Sequence, residues 1–153
     1  MQIREAGIED AAGIHRILQE LVAARLRTRP ATLDFARDNY ITHPDKLWCG
    51  VAVDEGGTLL GFQALKLAVE GNEFDVQPGW GVIGTHVSPN AARRGVGAAL
   101  FAVTREVAQK RGLSKIDASI GADNAVGRAY YDAMGFVTYR TPKGLDCKCY
   151  EVV

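Results

Sequence analysis

The sequence predicts one α/β (α+β) domain with a mixed central sheet and about four helices, and three observations lead there. The chain has 153 residues, the length of a single ordinary domain. Two β-rich runs meet at a Gly-Gly turn, and the later runs alternate with helical stripes. The resulting order, β-α-α-β-β-β-α-β-α-β-β, joins an antiparallel meander to crossover helices, which a purely parallel sheet cannot do. Residues 1–153 are therefore read as one domain without a linker.

"QIRE" opens as a short strand. Ile14, Ile17, Leu18 and Leu21 then repeat at helical spacing, so a helix runs from about Ile8 to Ala24. The basic piece "RLRTRP" leads to Thr32, an N-cap for a weaker helix from Leu33 to Thr42 that Pro44 halts. "LWCGVAV" and "TLLGFQALKLAV" flank the turn "DEGG" as an antiparallel hairpin, and "EGNEFDVQPG" is a loop. "WGVIGTHV" is a strand closed by Ser88-Pro89. Val96, Leu100, Val103 and Val107 form the stripe of a helix that ends at Lys110, Arg111 and Gly112. "SKIDASI" is a strand, Asn124 caps a helix to about Met134, and "FVTYR" and "CKCYEVV" are the last two strands around "TPKG".

Composition narrows the function classes. Eighteen basic and eighteen acidic residues cancel, which leaves no whole-surface field for nucleic acid or an anionic membrane. The first residues lack an apolar export core, and no run of about 18 apolar residues exists. A cytoplasmic location is expected. Cys49, Cys147 and Cys149 make an odd count, so reduced thiols are expected; Cys147 and Cys149 sit two apart on a strand and share a face, with no second pair at zinc spacing, so no metal is expected.

The stretch "NAARRGVGAAL", Asn90 to Leu100, carries the chemistry. A glycine-rich turn that opens a helix points main-chain N–H groups and the positive end of the helix dipole at one spot. Arg93 and Arg94 add charge, and no acidic residue follows Gly95 in the first turn. Two familiar phosphate loops fail here. The dinucleotide fingerprint would need a third glycine where Leu100 stands, which leaves Asp117 without a ribose to hold, and no G-x-x-x-x-G-K-[ST] run occurs.

"THVSPNAARRGVGAAL" resembles the acetyl-CoA-binding segment of the GCN5-related N-acetyltransferases (GNAT): a strand ending V-x-P, then [QR]-x-x-G-x-[GA], then a long helix. "NAVGRAYYDAMGF" is similar to the family's other signature, an Asn-capped helix with a Leu/aromatic-Tyr pair and a closing G-F. The order of elements also matches over nearly all of the chain. The resemblance implies a sheet that splays at the acyl-CoA site, acetyl-CoA as cofactor, and transfer of its acetyl group to a primary amine. It implies that Arg94, Gly95, Val96, Gly97 and Ala98 offer backbone donors to the pyrophosphate, beside the charge that Arg93 already brings to the turn. Val87 would pair with the pantetheine arm, Asn124 would reach it, and Tyr131 would protonate the leaving thiolate. The [QR] position falls on Ala92, a departure that predicts weaker binding.

Helical geometry supplies a separate reading of the tyrosines. At about 100° per residue, Val126, Ala129, Tyr130, Ala133 and Met134 share one side, so Tyr130 is expected in the core and Tyr131 about 120° away from it. An amine attacks only as the free base, so a proton acceptor is needed. Histone-acetyltransferase-like members carry a Glu near the position of Gly81; here the candidates are His86, Glu73 or a water chain. The acceptor-facing segments would be "RLRTRPATLDF", with Arg25, Arg27 and Arg29, and "EGNEFDVQPGW", with Glu70, Glu73 and Asp75, which together suit an amino-acid-like small amine. A protein or peptide acceptor, a non-catalytic acyl-CoA sensor and a nucleotide-binding module are the competing readings. Family resemblance further implies a homodimer through C-terminal strands.

Overall fold

The computed structural model of the chain describes residues 1–152; Val153, the end of the run "CKCYEVV", lies outside them. Its elements are β1 (Gln2–Glu5), α1 (Ala11–Ala23), α2 (Leu33–Ala36), β2 (Lys46–Val53), β3 (Leu59–Leu67), β4 (Gly81–Val87), α3 (Val96–Lys110), β5 (Lys115–Gly121), α4 (Ala125–Met134), β6 (Val137–Arg140) and β7 (Leu145–Glu151). The strands form one sheet in the order β1-β2-β3-β4-β5-β7-β6. Every neighbouring pair is antiparallel except β4 and β5, which are joined through the α3 crossover and run parallel.

The parallel pair positions the site. β3 and β4 pair along their length, from Gly61 opposite Val87 to Leu67 opposite Gly81. β4 and β5 pair only at Gly81 with Ile116 and Val82 with Asp117. Beyond Val82 the strands part, and Ile83 to Val87 have no sheet partner on the β5 side. The mixed sheet predicted from the sequence is thus split at one seam.

Each face of the sheet has its own core. On one face Ile14, Ile17, Leu18 and Leu21 of α1, the stripe predicted from spacing, pack with Tyr40, Val51 and Phe62. On the other, Leu65, Ile83, Ile116 and Ala118 pack with Phe101 of α3, Tyr131 of α4 and Phe136. Burying each large apolar side chain stabilises the fold by about 1.5–3 kcal/mol. β4 therefore presents Ile83, Thr85 and Val87 to α3 and α4, and Val82, Gly84 and His86 to the face of α1 and α2.

Two expectations need correction. The helix expected over Leu33–Thr42 is one α-turn, capped by the Thr32 hydroxyl accepting from Phe35 N at 3.1 Å, followed by a wide π-turn over Arg37–Ile41 that closes with Thr42 N donating to Arg37 O. The extra residue in that turn aims Tyr40 into the core. The second correction concerns α4. Val126 is 73% exposed, and the inward stripe is Gly127, Tyr130, Tyr131 and Met134. Tyr131, expected off the core, is its most buried member at 6% exposure. The apolar count along the helix favoured two alanines and a valine, but two adjacent aromatic rings bury far more area and set the rotation.

Candidate active site

The turn after β4 is held at its base and open at its tip. Ser88 Oγ accepts from Asn90 N at 3.2 Å and donates to Glu20 Oε1 of α1 at 2.8 Å. Arg93 and Gly95 both adopt left-handed backbone, with φ of 63° and 74°. This double reversal starts α3 at Val96 with no side-chain cap and no acidic residue in its first turn. The first helical bond runs from Ala99 N to Gly95 O at 3.0 Å, so among the described residues the N–H groups of Val96, Gly97 and Ala98 have no main-chain acceptor. Arg93 and Arg94 are exposed beside them and have no carboxylate at ion-pair distance among those residues. Such a terminus favours an anion.

The two glycines do different work. A Cβ on Gly95 would meet nothing within 4 Å, so Gly95 serves the left-handed backbone and leaves the approach clear. A Cβ on Gly97 would lie 2.6 Å from Cε1 of Tyr130. Gly97 therefore makes room for a ring of α4 as well as starting the helix, a packing role that the motif alone does not reveal.

Beneath the unpaired half of β4 runs a chain of polar side chains. Tyr131 OH and Thr85 Oγ1 are 2.8 Å apart. Gln63 Nε2, fully buried on β3, donates to Thr85 Oγ1 at 2.9 Å and to Tyr130 OH at 3.0 Å, and Tyr130 OH donates to Gly97 O at 2.8 Å. The series thus links the first turn of α3 to the Tyr131 hydroxyl. Burial pushes the pKa of Tyr130 up to about 12, and burial pushes Tyr131 up as well, partly offset by its bond to Thr85. Asn124 caps α4, its Oδ1 accepting from Gly127 N at 2.9 Å.

The opposite face of β4 is built around His86. Its ring stacks on Phe62 with centroids 4.6 Å apart and meets Tyr40 edge-on. Nε2 lies 3.2 Å from Arg27 Nη1; a guanidinium only donates, so Nε2 accepts and the proton sits on Nδ1, which is buried without a partner. Burial first, then Arg27 and Arg29, push the pKa of His86 down to about 3. Its basic lone pair is already engaged. Glu73 is exposed and pairs with Arg29 at 3.2 Å, so the basic and acidic segments expected to flank the acceptor are brought together. Arg29 also lies over the Phe74 ring, and Arg140 Nη2 donates to Phe74 O.

Sequence reasoning missed Gln63, Thr85 and the pairing of Asp117 with Tyr139. Gln63 and Thr85 sit in strands read only for apolar pattern. The signal available was a Gln inside the otherwise apolar "LLGFQALKL".

Comparison with known proteins agrees with this architecture. The family model described as "Acetyltransferase (GNAT) family" matches residues 14–136, and the chain belongs to that family. The mycothiol acetyltransferase of Clavibacter michiganensis subsp. michiganensis (strain NCPPB 382) is 40% identical over 86 residues, which are 56% of this chain. The match spans 26% of that relative, about a quarter of its length. Among solved structures, a GCN5-related N-acetyltransferase from Kribbella flavida superposes with a TM-score of 0.81 at 23% identity, covering 98% of this chain and 96% of that one. PaiA N-acetyltransferase from Thermoplasma acidophilum, solved in complex with coenzyme A, has a TM-score of 0.76 at 18% identity over 98% of each chain. The YncA structure from Salmonella typhimurium, solved with acetyl-CoA, gives 0.71 at 20% identity over 99% of this chain and 94% of that one.

Acetyl-CoA is the cofactor of this family. The residues present fit it: among the described residues, unpaired N–H groups of Val96, Gly97 and Ala98 beside two exposed arginines suit a pyrophosphate, and the unpartnered edge of β4 suits an amide-bearing arm.

Proposed function

We propose that this protein is an acetyl-CoA-dependent N-acetyltransferase acting on the primary amine of a small molecule, with Tyr131 as the general acid. The observation that carries the reading is the position of the Tyr131 hydroxyl, 2.8 Å from Thr85 in the unpaired half of β4 and tied through Gln63 and Tyr130 to the first turn of α3. When bound, acetyl-CoA supplies the thioester carbonyl that is attacked and a sulfur that must leave protonated.

The chain's own groups divide the remaining work. Free N–H groups of Val96, Gly97 and Ala98, with Arg93, Arg94 and the Gly95 turn, hold the pyrophosphate. The unpaired edge that ends at Val87 holds the pantetheine arm, and Asn124 reaches it with its amide nitrogen. Tyr131 keeps its proton at every working pH because burial raises its pKa, and the Thr85 bond, which lowers that pKa, eases release toward the sulfur. As the N–C bond forms and the C–S bond breaks, the nitrogen gives up a proton that ultimately reaches the solvent, Tyr131 gives one to the sulfur, and the Tyr131 phenolate regains a proton from the solvent as the products leave. Nothing in the set is redox-active.

The tie between Arg29 and Glu73 supports a small acceptor. It draws the α1–α2 segment and the β3–β4 loop together across the acceptor face, which suits an amino-acid-sized molecule better than an extended peptide. The test is thermal unfolding with acetyl-CoA, coenzyme A, NAD and ATP, followed by thiol release with a panel of amino acids and simple amines. A ligand at 100 times its Kd adds about 2.7 kcal/mol. Stabilisation by the two coenzyme A species alone is expected, with turnover falling about 100-fold in Tyr131→Phe while acetyl-CoA affinity holds. Equal stabilisation by NAD, or unchanged turnover in Tyr131→Phe, would sink the reading.

A further inference from the structure

Neither His86 nor Glu73 is placed to take the proton that leaves the amine. His86 presents its lone pair to Arg27, and Glu73 is exposed and paired with Arg29. A different carboxylate stands where the sheet opens. Asp117 on β5 faces Val82, the last residue of β4 that pairs with β5, and it is completely buried. Its neighbours Ile116, Ala118 and Ile120 point into the core under α3 and α4. By strand alternation Asp117 and Ser119 point to the other face, the one that carries Val82, Gly84 and His86.

Two hydroxyls satisfy this carboxylate. Ser119 Oγ donates to Asp117 Oδ1 at 2.7 Å, and Tyr139 OH of β6 donates to Oδ2 in a short bond. Among the described residues no lysine or arginine lies at ion-pair distance from it. The guanidinium of Arg140 donates instead to the Tyr139 oxygen at 3.2 Å. A buried carboxylate without a cation is costly, and structural need alone would be met more cheaply by an apolar residue.

Tyr139 connects this buried acid to the acceptor side. It is 40% exposed and packs on Trp80, 5.4 Å between centroids, at the end of the β3–β4 loop. Its neighbour Arg140 binds the carbonyl of Phe74 in the same loop. The Tyr139 proton is committed to Asp117 and one lone pair to Arg140, so one lone pair is left to accept an N–H.

We propose that Tyr139 and Asp117 together take the proton of the incoming amine, an inference that rests on the acetyltransferase reading above. The amine N–H donates to the Tyr139 oxygen. As the N–C bond forms, that proton passes to Tyr139 while the phenolic proton moves to Asp117. Tyr139 is neutral before and after, and Asp117 changes from carboxylate to carboxylic acid, so the proton lost by nitrogen is accounted for. Burial raises the pKa of Asp117 against the lowering effects of Tyr139, Ser119 and Arg140, and a carboxylate held above its ordinary range is a better proton acceptor. Burial and Asp117 raise Tyr139 to about 12. The other ionisable groups around the pair are Lys115, which lies over Trp80, Cys149 opposite Asp117, Cys147 beside Ser119, and Tyr131 across the seam.

The experiment uses the full chain and two readouts. The first is the pH profile of kcat/KM for the best amine at saturating acetyl-CoA, in wild type, Tyr139→Phe and Asp117→Asn. The second is the 13C titration of the Asp117 carboxyl without any ligand, in wild type and Tyr139→Phe. Tyr139→Phe should lower kcat/KM at least tenfold near neutral pH, recover as pH rises and free amine accumulates, and leave stabilisation by acetyl-CoA unchanged. The Asp117 carboxyl should titrate above the ordinary carboxylate range and higher still once the Tyr139 bond is removed. A wild-type pH profile in Tyr139→Phe overturns the proposal, even if Asp117→Asn fails to fold. An Asp117 titration in the ordinary range, or one indifferent to Tyr139→Phe, overturns it without any turnover being measured. Loss of turnover in Tyr131→Phe with none in Tyr139→Phe would leave the acetyltransferase reading standing and remove this one.

Discussion

The two sides of β4 are built from different materials. On the α3 side, the turn from Ala92 to Gly95 is exposed and acts through left-handed backbone and unpaired N–H groups, with no capping side chain. On the face of α1 and α2, the rings of Tyr40 and Phe62 pack on His86, Arg27 bonds its Nε2, and Arg29 reaches Glu73. A site made of main chain depends on φ angles and a helix start, and it tolerates changes of side chain. A site made of side chains depends on each of them.

The sharpest way to break this contrast is Gly95→Glu. It adds a side chain and a negative charge where Gly95 now leaves open space at φ 74°, and acetyl-CoA affinity should fall at least 100-fold, about 3 kcal/mol, by calorimetric titration. Retained affinity would mean that the anion does not sit on this helix start.

The His86 side should show its own signature in acid. His86 titrates at about 3 in the fold against 6.5 unfolded, so the unfolded chain binds the extra proton between those values. The stability it protects is complete above pH 6.5 and is lost as pH falls, on the order of 2 kcal/mol by pH 5. Thermal midpoints from pH 7 to 5 should therefore fall less in His86→Gln than in wild type; parallel curves would mean that His86 is already free to protonate.

A smaller effect is expected from Gly97→Ala, whose Cβ would meet the Tyr130 ring at 2.6 Å. The shifted ring should cost about 1 kcal/mol net of the gain in helix propensity and slow turnover through the Gln63–Thr85 chain, with cofactor affinity nearly unchanged. Affinity falling as far as in Gly95→Glu would show that both glycines serve the anion. Smallest of all, Ala92→Gln should tighten acetyl-CoA binding by roughly two- to fivefold, since one neutral hydrogen bond adds about 0.5–1 kcal/mol. A larger gain would mean that side chains matter on this side too.

Strands, most helices and the glycine turn before α3 were legible because each follows from residues close in sequence. The stripe of Ile14, Ile17, Leu18 and Leu21 and the glycine pair before α3 carry their own geometry. The rotation of α4 was not legible, since it turns on which rings find room against Phe136 and Gly97. Nor was the wide turn that buries Tyr40, which answers to Phe62 and His86 from distant strands.

The sequence by itself determined the order of elements, the mixed sheet and a helix start suited to a pyrophosphate, because backbone preference and apolar periodicity are local properties. Tertiary structure alone decided which tyrosine meets Thr85, that Arg27 engages His86, and that Asp117 lies buried behind Tyr139 at the seam. Those contacts join residues 22 to 59 positions apart, and no local rule encodes which side chains a parting pair of strands will bring face to face.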